Sequence, residues 1–127
     1  MFKALIADDE IHMRFLLSET LKTIEDEEIE ILTASDGKIA LSLIKKHMPD
    51  IVFLDVMMPC IDGFEVCSYI KNSMETKKIY TVLLTAKGQE IDKAMGVKSG
   101  ADLYITKPFD PDYIIEITRR IISLKNN

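Results

Sequence analysis

The stretch Ile51-Val52-Phe53-Leu54-Asp55-Val56-Met57-Met58-Pro59 constrains the fold of this chain more than any other. Four apolar residues in succession, without alternation, suit a strand buried on both faces, as in a parallel sheet covered by helices. The run then ends on a carboxylate. Burying an unpaired charge is costly, so Asp55 has to be paired, metal-bound or set at a strand mouth open to water. Pro59 has no N–H for a ladder and stops the pairing soon afterwards. Asp55 is the residue the rest of the chain must explain.

Other stretches fall into a regular alternation. Residues 3–7 are mostly apolar and stop at Asp8-Asp9-Glu10. Over 11–24 the spacing turns helical, with Ile11, Phe15, Leu17, Leu21 and Ile24 near one face. Asp9 suits an N-cap there, and Glu10 suits the positive end of the helix dipole. After the acidic turn Glu25-Asp26-Glu27-Glu28, residues 29–33 begin by alternating, like a half-exposed edge strand. Asp36-Gly37 is a turn, and residues 38–47 make a second helix with Ile39, Leu43 and Ile44 inward. Asp62-Gly63 starts a third helix bearing Phe64, Val66, Cys67 and Ile70, and residues 79–84 form an apolar strand ending at Thr85. Residues 89–99 make a weak helix, since an internal glycine such as Gly96 costs about 1 kcal/mol relative to alanine. A second alternating edge strand spans 102–106, and Pro111 and Lys125 frame a last helix. His12 and His47 fall on helix surfaces without metal-ligand company.

Five strands alternating with five helices predict an α/β protein with a doubly wound parallel sheet. The first, third and fourth strands read as buried on both faces, and the second and fifth alternate. Order 2-1-3-4-5 puts the alternating pair at the edges. This is the flavodoxin-like arrangement, with its crevice beyond the carboxyl ends of the first and third strands.

Composition limits the functions open to such a fold. At 127 residues the chain is one domain, residues 1–127, able to bury roughly two-thirds of its unfolded surface without a disulfide or metal staple. Two cysteines, Cys60 and Cys67, are too few for a disulfide framework and do not form C-x-x-C, so reduced thiols of a cytosolic protein are expected. The N-terminus lacks the apolar length of a signal peptide and no run approaches membrane-spanning length. A formal charge of −5 argues against nucleic acid as a direct partner. A cytoplasmic protein without membrane contact is the expectation.

The strand ends carry the chemistry. In a parallel sheet Asp8, Asp9, Asp55, Thr85 and Lys107 all arrive at one edge. Two carboxylates 4 Å apart repel by about 4 kcal/mol at an effective dielectric near 20, so three in one crevice need relief. A divalent cation provides it, and a few carboxylates plus waters favour Mg2+. A carboxylate so supported, beside a lysine and a hydroxyl, can attack phosphorus and form an aspartyl phosphate. Such transfer asks mainly for positioning and charge neutralisation, which the metal, Lys107 and Thr85 could provide.

Asp8-Asp9-Glu10, Asp55-Val56-Met57-Met58-Pro59 with Asp62-Gly63, Thr85-Ala86, Gly100-Ala101-Asp102 and Lys107-Pro108-Phe109, in this order and spacing, resemble the receiver domain of two-component response regulators, of the chemotaxis-regulator kind, over essentially the whole length. The resemblance implies a phosphorelay switch rather than an enzyme, one that assists its own phosphorylation and dephosphorylation. Asp55 would accept a phosphoryl group from a sensor histidine kinase or phosphotransfer protein. Asp8, Asp9, Asp55 and the Met57 backbone carbonyl would hold Mg2+. Thr85 and Lys107 would engage the phosphoryl oxygens, Tyr104 would swing inward with Thr85, and the Lys107-Pro108 bond would be cis. The fourth helix, fifth strand and last helix would then control an output domain or target protein. Ile115 and Ile122 lie off the Tyr113, Ile114, Ile117, Ile121, Leu124 face of the last helix, either as flanking core or as a partner or phosphorylation-dependent homodimer surface. Met57 and Lys87 are positions where such domains vary, and Met57 is expected to screen the phosphoryl group from water.

Simpler interpretations stand beside these. Taken singly, Asp9 is a helix cap, Thr85 a strand-end hydroxyl, Lys107 a surface lysine and Tyr104 an edge-strand aromatic. Only their joint placement around Asp55 favours chemistry. A haloacid-dehalogenase-type phosphohydrolase would need a second aspartate at the position of Met57. A flavin-binding relative would need a hydroxyl-rich phosphate loop where Asp8-Asp9-Glu10 stands, and the glycine-rich nucleotide motifs are absent from the sequence.

Overall fold

A computed structural model describes residues 1–86, 94 and 97–126. Five strands, β1 (Phe2–Ala7), β2 (Ile29–Ala34), β3 (Ile51–Asp55), β4 (Tyr80–Thr85) and β5 (Leu103–Thr106), form one sheet in the order β2-β1-β3-β4-β5. Every adjacent pair is parallel, and Leu5 stands opposite both Leu32 and Val52. Four helices are described over their full length: α1 (Ile11–Lys22), α2 (Gly37–His47), α3 (Gly63–Asn72) and α4 (Pro111–Lys125). The helix expected over 89–99 lies mostly outside the described residues, and its end at 97–99 is helical. The flavodoxin-like order and the burial of β3 agree with the sequence.

Period-2 alternation along the strands divides the core in two. Ala4, Ile6, Ile51, Phe53, Val82 and Leu84 face one way and pack under Leu17 and Leu21 of α1 and Ile114, Ile117 and Ile122 of α4. Leu5, Ala7, Val52, Leu54 and Leu83 face the other way, against Ala40 and Ile44 of α2 and Phe64, Val66, Cys67 and Ile70 of α3. All five residues of β3 are buried, because helices cover both faces of the central strand.

Three helices start on an aspartate whose carboxylate accepts a backbone N–H: Asp36 from Ile39 at 2.8 Å, Asp62 from Glu65 at 2.9 Å and Asp110 from Asp112 at 3.0 Å. The Asp36-Gly37 and Asp62-Gly63 pairs also show why glycine follows. A Cβ on Gly37 would sit 1.8 Å from the Ile61 carbonyl oxygen, and one on Gly63 would sit 2.4 Å from the Asp55 carbonyl oxygen. Two helix starts thus close onto the loop that follows β3.

Several local expectations are corrected. Glu10, not Asp9, occupies the N-cap of α1, and its side chain makes no capping bond. Of the stripe read from spacing, Leu17, Leu21 and Ile24 are buried, but Ile11 and Phe15 are 66% and 65% exposed, and Thr20 is buried beside Leu17 and Leu21. Ile39 is exposed, and α2 turns Gly37, Ala40 and Ile44 inward. On α4, Ile122 is buried and the partly buried Ile115 packs against the first core half, which favours the flanking-core reading over the partner surface. The exposed apolar residues of that helix are Tyr113 and Leu124. β2 is the half-buried edge strand expected, although its burial is even along most of its length rather than alternating residue by residue.

Gly100-Ala101-Asp102 is a structural tie. Gly100 adopts φ +86, a conformation that favours glycine. Asp102 then accepts the Thr81 N–H at 2.8 Å and the Lys71 ammonium at 2.5 Å, while Lys71 also donates to the Ile79 carbonyl at 2.7 Å. This joins the end of α3 to the starts of β4 and β5.

Candidate functional site

Backbone pairing at the strand ends brings Asp8, Asp55, Thr85 and Lys107 to the carboxyl edge. The Asp8 N–H donates to the Ala34 carbonyl at 3.1 Å, Val56 N–H to Leu84 at 3.0 Å and Lys107 N–H to Thr85 at 2.7 Å. Asp8, Asp55 and Thr85 are buried, Asp9 is exposed, and Lys107 is partly covered. The Lys107 ammonium lies between the two buried carboxylates, 3.2 Å from Asp8 Oδ2 and 3.1 Å from Asp55 Oδ1. Residues 99 and 52 positions apart in sequence meet on one nitrogen. The Lys107-Pro108 bond is cis, as expected.

Electrostatics at Asp55 follow from this packing. Burial, then the Asp8 carboxylate, then Asp9 at lesser weight, push its carboxyl from the ordinary 3.8 up to about 6, against the opposing pull of Lys107. Burial disfavours the charge on Lys107, yet Asp55 and Asp8 outweigh it and its pKa is raised. One lysine therefore only partly relieves the carboxylates.

The acidic loop after β1 offers a donor set for a cation. Carboxylate oxygens of Asp8, Asp9 and Glu10 can lie within 4.8 Å of one another. An all-oxygen, strongly anionic set next to a buried Asp55 of raised pKa fits a hard divalent ion such as Mg2+. Glu10 was not among the expected ligands. Its backbone N–H donates to Asp8 Oδ1 at 2.9 Å, which orients the buried carboxylate.

Met57, two residues past Asp55, is 64% exposed. Tyr104 packs against the second core half with its hydroxyl oxygen buried. Lys87, the other variable position, lies outside the described residues. Cys60 is exposed and Cys67 is buried, both as free thiols, and Cys67 donates to the Ser99 carbonyl at 3.6 Å. Sequence reasoning missed Arg14, whose guanidinium donates to the Asp8 carbonyl oxygen at 2.6 Å. A polar residue one turn into α1 was the only available signal. Among the described residues no helix is long and apolar enough to cross a membrane.

Comparison with known proteins gives a consistent picture. The family model for the response regulator receiver domain matches residues 4–119. Over 110 residues the chain is 43% identical to the alkaline phosphatase synthesis transcriptional regulatory protein PhoP of Bacillus subtilis (strain 168), covering 86% of this chain and 43% of that protein. Chemotaxis protein CheY4 of Vibrio cholerae superposes with a TM-score of 0.83 at 31% identity, covering 95% of this chain and 98% of that one. Response regulator DrrB of Thermotoga maritima, an OmpR/PhoB homolog, gives a TM-score of 0.82 at 28% identity, covering 98% of this chain and 54% of that one. The chain spans less than half the length of the first transcriptional regulators it matches, 40% to 46%.

Proposed function

Because the chain belongs to the response regulator receiver domain family of two-component signalling, we propose that it is a phosphorylation switch whose phosphoacceptor is Asp55. The observation that carries this reading is the Lys107 ammonium bridging Asp8 and Asp55 at 3.2 and 3.1 Å beside the end of β4. Burial and the Asp8 carboxylate raise Asp55 only to about 6, so it remains largely ionised at neutral pH and able to act as a nucleophile.

An Asp55 carboxylate oxygen forms the new bond to phosphorus as the bond to the donor breaks. The donor nitrogen of a phosphohistidine, or the donor oxygen of acetyl phosphate, leaves with the electron pair. Asp8 and Asp9, with Asp55 and the Met57 carbonyl, would hold Mg2+, which supplies positive charge where phosphoryl oxygens gather. Lys107 turns from bridging carboxylates to pairing with the phosphoryl group, and the Thr85 hydroxyl hydrogen-bonds to it. Tyr104 follows Thr85, and the surface of residues 97–99, β5 and α4 passes the change to an output domain or target protein. Ile115 and Ile122 no longer argue for a dimer on that surface, since both serve the core. A sensor histidine kinase or phosphotransfer protein supplies the phosphoryl group.

Incubation with acetyl phosphate and Mg2+ should add one phosphoryl group by mass. An adduct that survives Asp55→Asn, or none on the parent chain, overturns the reading. Exposed Met57 shields the product from water: Met57→Asn should shorten the lifetime of the adduct several-fold. An unchanged decay rate would remove Met57 from the mechanism.

A further inference from the structure

Arg14 holds the acidic loop from behind. Its guanidinium donates to the carbonyl oxygen of Asp8 at 2.6 Å, and its side chain is partly buried at the start of α1. The other polar groups of Asp8 are also engaged. Its N–H donates to Ala34, Oδ1 accepts the Glu10 N–H and Oδ2 accepts Lys107. The Asp8–Asp9 peptide is therefore fixed at its carbonyl, and with it the direction in which the exposed Asp9 leaves the strand. Among the described residues, the side chain of Glu10 gives α1 no cap, so the loop lacks the usual carboxylate anchor at this point. A planar guanidinium on a carbonyl supplies that anchor with directional hydrogen bonding.

We propose that Arg14 is a positioning residue for the cation site, orienting the Asp8–Asp9 peptide so that both carboxylates present to one ion. The proposal rests on the reading of Asp8 and Asp9 as metal ligands. Its sign separates it from a simple charge effect. Removing a positive charge near an acidic cluster should, through the field alone, tighten binding of a divalent cation. Removing a group that orients ligands should weaken it, and outer partners of metal ligands typically contribute about 10- to 100-fold in affinity.

The test is calorimetric titration of the intact 127-residue chain with MgCl2, for the parent and for Arg14→Ala, Arg14→Lys and Asp9→Asn. Arg14→Ala is expected to weaken Mg2+ binding about 10-fold, with Arg14→Lys recovering most of the loss because it keeps a cationic donor. In the metal-free protein the amide resonance of Asp9 should move in Arg14→Ala and return toward its parent position in Arg14→Lys. Equal or tighter Mg2+ binding by Arg14→Ala overturns the proposal. If Arg14→Ala does not fold, Arg14→Gln takes its place, with the same weakening expected and the same overturning result. Failure of the parent chain to bind Mg2+, or undiminished binding by Asp9→Asn, would instead bring down the metal-site reading beneath it.

Discussion

Asp55→Asn is expected to abolish phosphoryl acceptance and, in the same protein, to raise the stability of the metal-free fold at neutral pH. The first effect follows from loss of the nucleophilic oxygen. The second follows from linkage. The folded-state pKa of Asp55 lies near 6, above the ordinary 3.8, because of burial first and Asp8 second. Between those values the folded chain binds more protons than the unfolded one, so stability falls as pH rises through this window, and the whole cost is present above it. A rise from 3.8 to about 6 corresponds to roughly 3 kcal/mol at most.

Asparagine has nearly the same shape and no charge, while Lys107 keeps Asp8 as its partner. Urea denaturation should therefore show Asp55→Asn more stable by about 1–3 kcal/mol at pH 7.5, with the difference shrinking as pH falls toward 4. Mg2+ should stabilise the parent more than the variant, because it relieves the same repulsion. If the two proteins denature together from pH 4 to 8, the carboxylates do not repel and the argument for a cation loses its electrostatic basis.

The second large effect is expected at a residue with no side chain. A Cβ on Gly63 would lie 2.4 Å from the Asp55 carbonyl oxygen and 2.9 Å from Val56 Cα. Both are backbone atoms of the strand end, and the Gly63 N–H already donates to the Val56 carbonyl at 2.9 Å. Neither side can yield without moving Asp55. Alanine would favour the helix by about 1 kcal/mol, but the overlap outweighs that preference. Gly63→Ala is expected to lose about 3 kcal/mol of stability in urea and to slow phosphorylation by acetyl phosphate at least 10-fold in the fraction that remains folded. A variant as stable as the parent would mean that the start of α3 does not bear on the site.

These two sites show how much was legible beforehand. Asp55 stood out because a charge ended an unbroken apolar run. Alternating strands at the edges and continuous ones between them predicted the sheet order that the structure has. Asp62 before glycine marked a helix start correctly, whereas Asp36-Gly37, expected as a turn, is the N-cap and first residue of α2. Spacing picked out the buried Leu17, Leu21 and Ile24 but failed at Ile11 and Phe15, because with Leu16 they make apolar residues too common around the start of α1 for spacing to select a stripe. Spacing left Ile122 open between core and partner surface, since the turned face of α4 depends on where the sheet lies beneath it, and the structure puts it in the core. Lys71 and Arg14 were invisible because a charged side chain that donates to distant or strand-end carbonyls looks, in sequence, like any surface cation.

The sequence by itself determined the alternation of strands and helices, the depth of each strand and the residue types waiting at the strand ends. These follow from local periodicity and from the cost of burying charge. Only the tertiary structure decided that a single ammonium spans Asp8 and Asp55, that Asp55 is held near pKa 6, and that the backbones of Gly37 and Gly63 lie against the loop beside it. Distances of a few ångströms between residues up to 99 positions apart depend on register and packing across the whole sheet, which no local pattern encodes.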